Sequence, residues 1–370
     1  MKNKSILFFV ASIAFFFIII VSCDDSDPGD DVQIQDLRKA QLINTYDNGI
    51  DPLNIDFQIK ARELTSSIAQ LVEVTNSDNL LNAQKSWMDL IAVWKHLELY
   101  NIGLVEDSFI HFEINRWPSD LENIENYISG DDTIDVDFLK SKGSSSKGIS
   151  AIEYLLFDPA GSSAALESLL NLEDGTRRLD YILAASQILE EKSQETAILW
   201  NDYEDDFKAN LENSIDGSHN QLTNAMVALL QEIVISKLGK PLGEKDGGVI
   251  QLDKVEAGYS NQSLYIIKKH LEVLKNCYEG DFIPGGEQIG FDDYLNTIEQ
   301  SDIDSAILSS FSKCENTLSA MSDNLVAELG NSPTQVEELQ NNFEELLTLI
   351  KVDMANALGV IIVPNDSDGD

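Results

Sequence analysis

The sequence contains few of the residues that build common metal and redox sites. It has 3 cysteines and 4 histidines among 370 residues. The cysteines show no Cys-x-x-Cys spacing, and the histidines show no His-x-x-His or HExxH spacing. Structural zinc knuckles, thioredoxin-like sites and zincin proteases depend on those spacings. The sequence therefore does not support any of these three classes.

Positive charge is also scarce. The chain has 25 lysines and arginines against 64 aspartates and glutamates, a formal net charge of -39. A field of that sign repels nucleic acid and anionic lipid headgroups, and it favours cations or basic partners. We therefore expect no nucleic-acid partner. An acidic surface that only keeps the protein soluble is the alternative interpretation.

The N-terminus has the pattern of an export signal. Two lysines precede an uninterrupted apolar and small-residue run, 6–21, which is shorter than the roughly 20 residues of a spanning helix. The run ends in Ile20-Val21-Ser22-Cys23, which resembles a bacterial lipobox. We predict a lipoprotein signal peptide over residues 1–22 and lipidation of Cys23, which would attach the protein to a membrane. An ordinary signal peptide with a chance cysteine is the alternative.

An acidic stretch follows the cysteine. In residues 23–37, Asp24 and Asp25 follow the cysteine and the first residues are poor in apolar side chains, which predicts a solvated tether over this range. Acidic residues directly after the cysteine resemble surface-export signals of Bacteroidetes-type lipoproteins. We therefore expect the envelope of a Gram-negative bacterium, with an outer-membrane anchor and either a periplasmic or a surface face.

Helical periodicity dominates the remainder of the chain, and sustained strand alternation is nearly absent. Apolar residues recur at three- and four-residue steps, so the predicted fold class is all-α. Residues 102–148 break the pattern, and irregular stretches of that length are functional or disordered. The predicted helices are 59–74, 82–99, 149–156, 176–200, 220–237, 260–278, 303–327 and 335–358.

The number of helices suggests two bundle-like halves. A cluster of proline, glycine and serine between residues 158 and 175 marks their boundary. We predict an N-terminal helical bundle over 38–165, a C-terminal helical bundle over 166–360 and an acidic tail over 361–370. The tail lacks the downstream glutamate of a calcium loop. Cys277 and Cys314 form either one disulfide or two buried thiols.

Residues 148–153 read GxSxxE, one residue away from a GxHxxE metal motif. Positions 150 and 153 share a helix face because they are three residues apart. An imidazole and a carboxylate placed in this way can hold a divalent transition metal, whereas the hydroxyl of Ser150 is a weak neutral ligand.

Further landmarks accompany this motif: Trp87 and Trp94, and segments 114–118, 148–157, 237–243, 255–263 and 358–360. Together they resemble the imelysin family of exported bacterial proteins, which are linked to iron acquisition and are also described as insulin-cleaving membrane proteases. The resemblance implies two four-helix-bundle-like domains packed side by side, with the GxHxxE segment near their shared groove. Gly148 and Glu153 match the motif, while Ser150 stands in place of its histidine.

The candidate binding groove consists of Ser150, Glu153, Arg116 and Trp117. Glu153 lies in an apolar helix, and a buried carboxylate needs a partner or a cation. Arg116 is an available partner, and a Glu153 that only pins the 102–147 loop is the structural alternative.

A divalent metal, either iron, zinc or calcium, is a further expectation for the groove. Glu153 would be one ligand, and His96 or His111 would supply the missing imidazole. Ordinary surface or core histidines are the alternative interpretation of both residues.

These patterns favour a non-catalytic, lipid-anchored binding protein that serves iron or other nutrient acquisition. Its ligand would be a metal complex, a small molecule or an envelope transport partner. One alternative is a metallopeptidase that uses Glu153 with a histidine from elsewhere in the chain. Another is a structural or adhesive surface module.

Overall fold

The computed structural model describes residues 28–283 and 288–364. The predicted signal peptide, the lipidation site at Cys23 and the last six residues of the predicted tail lie outside the described residues.

Within those two ranges the regular structure is helical, apart from one isolated antiparallel bridge between Asn115 and Gly148. The all-α prediction is therefore confirmed. Short 3-10 or π-helical turns join or extend several of the helices. The α-helices are α1 Pro28–Asn44, α2 Asp51–Glu73, α3 Ser77–Leu97, α4 Gly103–Asp107, α5 Ile110–Ile114, α6 Leu121–Ser129, α7 Val136–Lys140, α8 Gly148–Leu156, α9 Ser162–Leu169, α10 Gly175–Ala209, α11 Ser218–Gln231, α12 Lys240–Leu242, α13 Ser263–Glu279, α14 Phe291–Thr297, α15 Ser301–Ser319, α16 Leu325–Asn331, α17 Pro333–Thr348 and α18 Ala355–Leu358.

A first group of helices, α2, α3, α8 and α10, packs around one part of the core. On α2, the buried positions Phe57, Ala61, Leu64, Ile68 and Leu71 follow the three- and four-residue steps of the sequence. That spacing turns one apolar stripe toward the neighbouring helices. The long helix α10 runs against α2 and α8.

The position of α10 differs from the predicted domain boundary, which assigned this helix to the C-terminal half. Its contacts are with the N-terminal elements: Thr65 Oγ1 on α2 donates to the Ser186 carbonyl at 3.2 Å, and Tyr181 Oη donates to the Ser146 carbonyl at 2.5 Å. A proline- and glycine-containing loop ends a helix, but the chain beyond it can still return to the same bundle.

A second group contains α11, α13, α15 and α17. Gln340 on α17 donates to the Val234 carbonyl at 3.1 Å, and Lys313 on α15 pairs with Glu345 on α17 at 2.7 Å. The two groups meet along α3 and α13 and at the turn formed by residues 98–100. The helical run Ser218–Asp246 has the length and hydropathy of a membrane span, but 72% of its apolar window is buried inside the protein, as in a core helix.

Two terminal predictions need correction. The predicted tether is wrong for residues 28–37, because α1 begins at Pro28 and Leu37 packs against the core. The predicted solvated tail is wrong for residues 361–364. There Asn224 donates to the Ile361 carbonyl at 2.9 Å and accepts from the Val363 N–H at 2.8 Å. Ile362 also packs against the core, as Leu37 does in the first segment.

The segment predicted to be irregular, 102–148, contains the four short helices α4 to α7 separated by loops. The thiols of Cys277 and Cys314 are free and buried, which corresponds to the second of the two alternatives for this pair. Burial raises the pKa of both thiols to about 12.

Candidate functional site

The motif helix α8 is held at both ends by side chains of α3. Trp87 Nε1 donates to the Ile149 carbonyl at 3.0 Å, and Gln84 Nε2 donates to the Leu156 carbonyl at 2.7 Å. Gly148 begins the helix with φ +79°, and a Cβ at this position would lie 2.3 Å from the Ile114 carbonyl oxygen. Only glycine fits both the left-handed backbone and this close approach.

Ser150 is hydrogen-bonded within the protein. Its Oγ donates to Asn115 Oδ1 at 2.7 Å. The Asn115 amide nitrogen in turn lies 3.4 Å from Glu98 Oε1 and 3.5 Å from Glu256 Oε1. The serine in place of the motif histidine is therefore connected through one asparagine to two carboxylates.

Glu153 is buried and is bound by the loop that precedes α13. Its Oε1 accepts from both the backbone N–H and the Oγ of Ser260, each at 2.8 Å. Burial raises the pKa of Glu153 to about 7, although the Ser260 hydrogen bonds oppose that rise. The predicted partner Arg116 is exposed and lies over the Phe112 ring at 4.5 Å from its centroid. The sequence thus predicted a buried, paired Glu153 but named the wrong partner.

A buried charge network lies beside α8. Lys95 is fully buried, and its Nζ lies 2.7 Å from Glu98 Oε1 and 2.7 Å from Glu256 Oε1. Lys237 pairs closely with Glu256, and His270 Nε2 lies 2.7 Å from Glu98 Oε2. These residues come from α3, the 98–100 turn, the π-helical turn after α11, the loop before α13 and α13 itself.

The pKa values show how the network holds its charges. Burial alone would raise the pKa of Glu256, but the ammonium groups of Lys237 and Lys95 lower it to about 2. Burial is likewise outweighed at Glu98, where Lys95 and then His270 hold the pKa well below its usual value. Burial lowers the pKa of His270 to about 4, so its ring is neutral at pH 7. The network therefore contains two carboxylates and two ammonium groups.

A cavity of about 530 Å³ opens onto this network. That volume falls within the range of roughly 300–1,000 Å³ that small-molecule sites occupy. Glu98, Glu256 and Lys237 form a charged part of its lining, while Leu99, Ile102 and other apolar side chains form much of the remainder. An apolar cavity with a few convergent polar groups is the usual form of a ligand site.

The predicted site residues fall into separate places. Trp117 and His111 line the cavity, whereas Ser150, Glu153 and Arg116 do not. His96 lies between α3 and α13, with Nε2 3.6 Å from Glu272 Oε2. Neither His96 nor His111 appears among the hydrogen-bond partners of Glu153.

Sequence reasoning missed most of the network. Lys95, Lys237 and His270 were not predicted as site residues. A signal was present, because Lys95 lies among the apolar residues Ile91, Trp94 and Leu97 near the end of α3. A charge at such a position must be paired when it is buried.

The motif residues do not fit a histidine-ligated metal. Ser150 is engaged with Asn115, and Glu153 is engaged with Ser260. Within residues 28–283 and 288–364, no group of three or more His, Cys, Asp or Glu side chains is placed to hold a metal ion.

Fold and site together define an all-helical protein with a charged, partly apolar cavity between two groups of helices. The model of the imelysin family matches residues 55–351. The chain belongs to the imelysin family, so the predicted membership is confirmed.

Two solved structures share the fold. An imelysin-like protein from Psychrobacter arcticum 273-4 is 17% identical, with a TM-score of 0.72 over 89% of this chain and 98% of that chain. A putative iron-regulated protein A precursor from Parabacteroides distasonis ATCC 8503 is 18% identical, with a TM-score of 0.74 over 87% of this chain and 95% of that chain. No curated protein matches the chain at a significant level.

Proposed function

We propose that this protein is a non-catalytic binding protein of the bacterial envelope that holds a small ligand in the cavity beside α8. The observation that carries this proposal is the 530 Å³ cavity whose lining includes Glu98, Glu256 and Lys237. Burying such charges is costly unless they are paired, and here each is paired within the protein. A paired, rigid lining presents fixed polar groups to a ligand without the need to rearrange.

The non-catalytic part of the proposal rests on the motif helix. Metal-assisted hydrolysis needs a bound metal with an open coordination position and a general base. The two motif side chains that would contribute, Ser150 and Glu153, are occupied by Asn115 and Ser260. The arrangement supports holding a ligand better than it supports peptide hydrolysis.

The link to iron or other nutrient acquisition rests on the family and on one relative. The Parabacteroides distasonis protein is described as a putative iron-regulated protein A precursor. We extend that context to this chain as part of the proposal. The ligand would be a metal complex or another small nutrient, passed on to a transport partner in the envelope.

Ligand loading tests the cavity. The full chain would be incubated with the small-molecule fraction of spent growth medium, separated from unbound material and weighed by native mass spectrometry. Ala228 lines the cavity and is exposed, so Ala228→Phe fills the cavity without disturbing the core. Ala69 is exposed on α2 away from the cavity, and Ala69→Phe is the matched control.

We expect a bound small molecule on the wild type and on Ala69→Phe, and none on Ala228→Phe. Equal loading of all three proteins would contradict the proposed site. Metal-dependent cleavage of casein by the wild type, lost in Glu153→Ala, would favour the metallopeptidase alternative.

The proposed lipid anchor is tested separately. Cys23→Ala should release the protein from the membrane fraction, because the acyl chains would no longer attach. Unchanged fractionation would count against the anchor while leaving the binding proposal intact.

A further inference from the structure

The cavity lining has more negative than positive charge. Glu106 and Glu232 line it together with Glu98 and Glu256, whereas the cations of the site are Lys237 and the buried Lys95 behind it. Four carboxylates and two ammonium groups leave a net charge of two negative. Burial lowers the pKa of His111 and that of His270, so neither ring offsets that charge at pH 7.

Glu106 and Glu232, the two outer carboxylates, lack a close cationic partner among the described residues, unlike Glu98 and Glu256. Glu106 makes no ion pair with a described residue. Its carboxyl group is partly covered by the protein, and this partial burial, followed by the neighbouring Asp107, raises its pKa. Glu232 has a side chain that is 42% exposed, and its Oε1 lies 3.9 Å from Lys237 Nζ. That lysine is already paired closely with Glu256. Both carboxylates therefore line the cavity without a close cationic partner.

The polar part of the lining also offers a hydrogen-bond acceptor. His111 lines the cavity. Burial lowers the pKa of its ring, and a neutral imidazole has one nitrogen that accepts a hydrogen bond. An N–H donor on a ligand would match that acceptor.

The remaining lining suits an apolar body. Trp94 and Trp117 line the cavity together with Leu99, Ile102 and Leu229. Indole rings attract cations through their faces, and this attraction is stronger when water is excluded.

We infer that the cavity binds a protonated amine attached to an apolar or aromatic body. The ammonium group would lie near Glu106 or Glu232, with the acceptor nitrogen of His111 as a further partner. The apolar part would pack on the tryptophans and the aliphatic wall. The acidic surface, with 64 acidic against 25 basic residues, would raise the local concentration of such a ligand. This inference rests on the proposed binding function and names the class of its ligand.

Three probes of similar size and different charge test the class: 2-phenylethylammonium, 2-phenylethanol and 3-phenylpropanoate. Binding to the full chain would be measured by isothermal titration calorimetry at pH 7. We expect the ammonium probe to bind at least about tenfold more tightly than the alcohol, with no detectable binding of the carboxylate.

Two double variants with the same change in total charge separate local from long-range effects. Glu106→Gln with Glu232→Gln removes the outer carboxylates, and Glu73→Gln with Glu167→Gln removes two exposed carboxylates elsewhere. Each exposed ion pair contributes up to about fivefold to affinity. Because the first variant removes two carboxylates, it should bind the ammonium probe about tenfold more weakly than the wild type does. The second should stay within about twofold of the wild type.

The outcomes distinguish this inference from the proposed function. Equal or tighter binding of the alcohol or the carboxylate, blocked by Ala228→Phe, would overturn the amine class while supporting a binding cavity. Equal weakening by both double variants would show that only the overall charge matters, and the assigned site would be wrong. If no probe binds, the amine inference fails, whereas the ligand-loading experiment still decides the proposed function.

Discussion

Replacing Glu153 with glutamine should make the protein more stable at alkaline pH and leave it nearly unchanged at acidic pH. Burial raises the pKa of Glu153 to about 7 from its ordinary value of 4.5. A group whose pKa is raised on folding favours the folded state fully below its unfolded pKa. That contribution is lost as the pH rises through the folded pKa. Glutamine cannot ionise, so it avoids the loss.

The structure sets the size of the effect. The interval from 4.5 to about 7, at 1.36 kcal/mol for each pH unit, corresponds to about 3 kcal/mol. A glutamine side chain at position 153 would retain both hydrogen bonds, because its carbonyl oxygen can replace Oε1 as the acceptor from the Ser260 N–H and Oγ. The variant should therefore match the protonated wild type in shape and in hydrogen bonding.

Urea denaturation between pH 4 and pH 8.5 measures the effect as the difference in unfolding free energy between variant and wild type. The difference is needed because burial also raises the pKa of Asp292 to about 7, which changes wild-type stability over the same range. We expect the difference to grow by about 3 kcal/mol from pH 4 to pH 8.5. Glu167→Gln, at an exposed site, should show no such change. A difference that stays flat across this range would falsify the buried, Ser260-bound placement of Glu153.

Three further variants test other parts of the site. Gly148→Ala should cost about 2–5 kcal/mol of unfolding free energy, because it adds a backbone clash to an unfavourable φ. The control is Gly247→Ala, where φ is +67° but the space is open, and it should cost clearly less. Equal losses of unfolding free energy in the two variants would contradict the clash at Gly148. Glu256→Gln should cost about 3–5 kcal/mol at pH 7 because its two lysine partners lose a shared carboxylate. The pKa of Glu256 is lowered from 4.5 to about 2, so its contribution to the unfolding free energy is present above pH 4.5 and is lost as the pH falls through 2. Urea denaturation at pH 3 should therefore show a smaller cost of Glu256→Gln than denaturation at pH 7. Ser150→His should not create zinc or ferrous-iron affinity, because Glu153 is held by another loop; a stoichiometric metal measured by calorimetry would refute this.

Helix positions could be predicted well from the sequence because they depend on local spacing. The apolar stripe of α2 and the short motif helix α8 both follow from side chains three or four residues apart. Helix ends were less predictable. The predicted helix 303–327, for example, is divided between α15 and α16 in the structure. End positions depend on caps and on neighbouring elements.

The partners of buried charges could not be predicted because they come from distant parts of the chain. The contact between Glu153 and Ser260 joins residues 107 positions apart, and that between Lys95 and Glu256 joins residues 161 positions apart. One pair, Lys95 and Glu98, was within reach of sequence reasoning, since residues three apart on a helix are neighbours. The sequence suggested Arg116 as the partner of Glu153 because Arg116 lies in the loop segment that precedes the motif helix, and the order of segments along the chain does not decide which side chains meet in a folded core.

The sequence by itself determined the all-helical class, the family and the departure of Ser150 from the family motif, because each depends on residue identity and short-range periodicity. The tertiary structure decided that α10 packs with the first group of helices. It also decided that Ser150 and Glu153 are bonded to Asn115 and Ser260. Packing and buried hydrogen bonds are set by which surfaces meet in three dimensions, and local patterns carry no information about those meetings. For the same reason, the cavity and its excess of carboxylates emerge only once the distant helices are brought together.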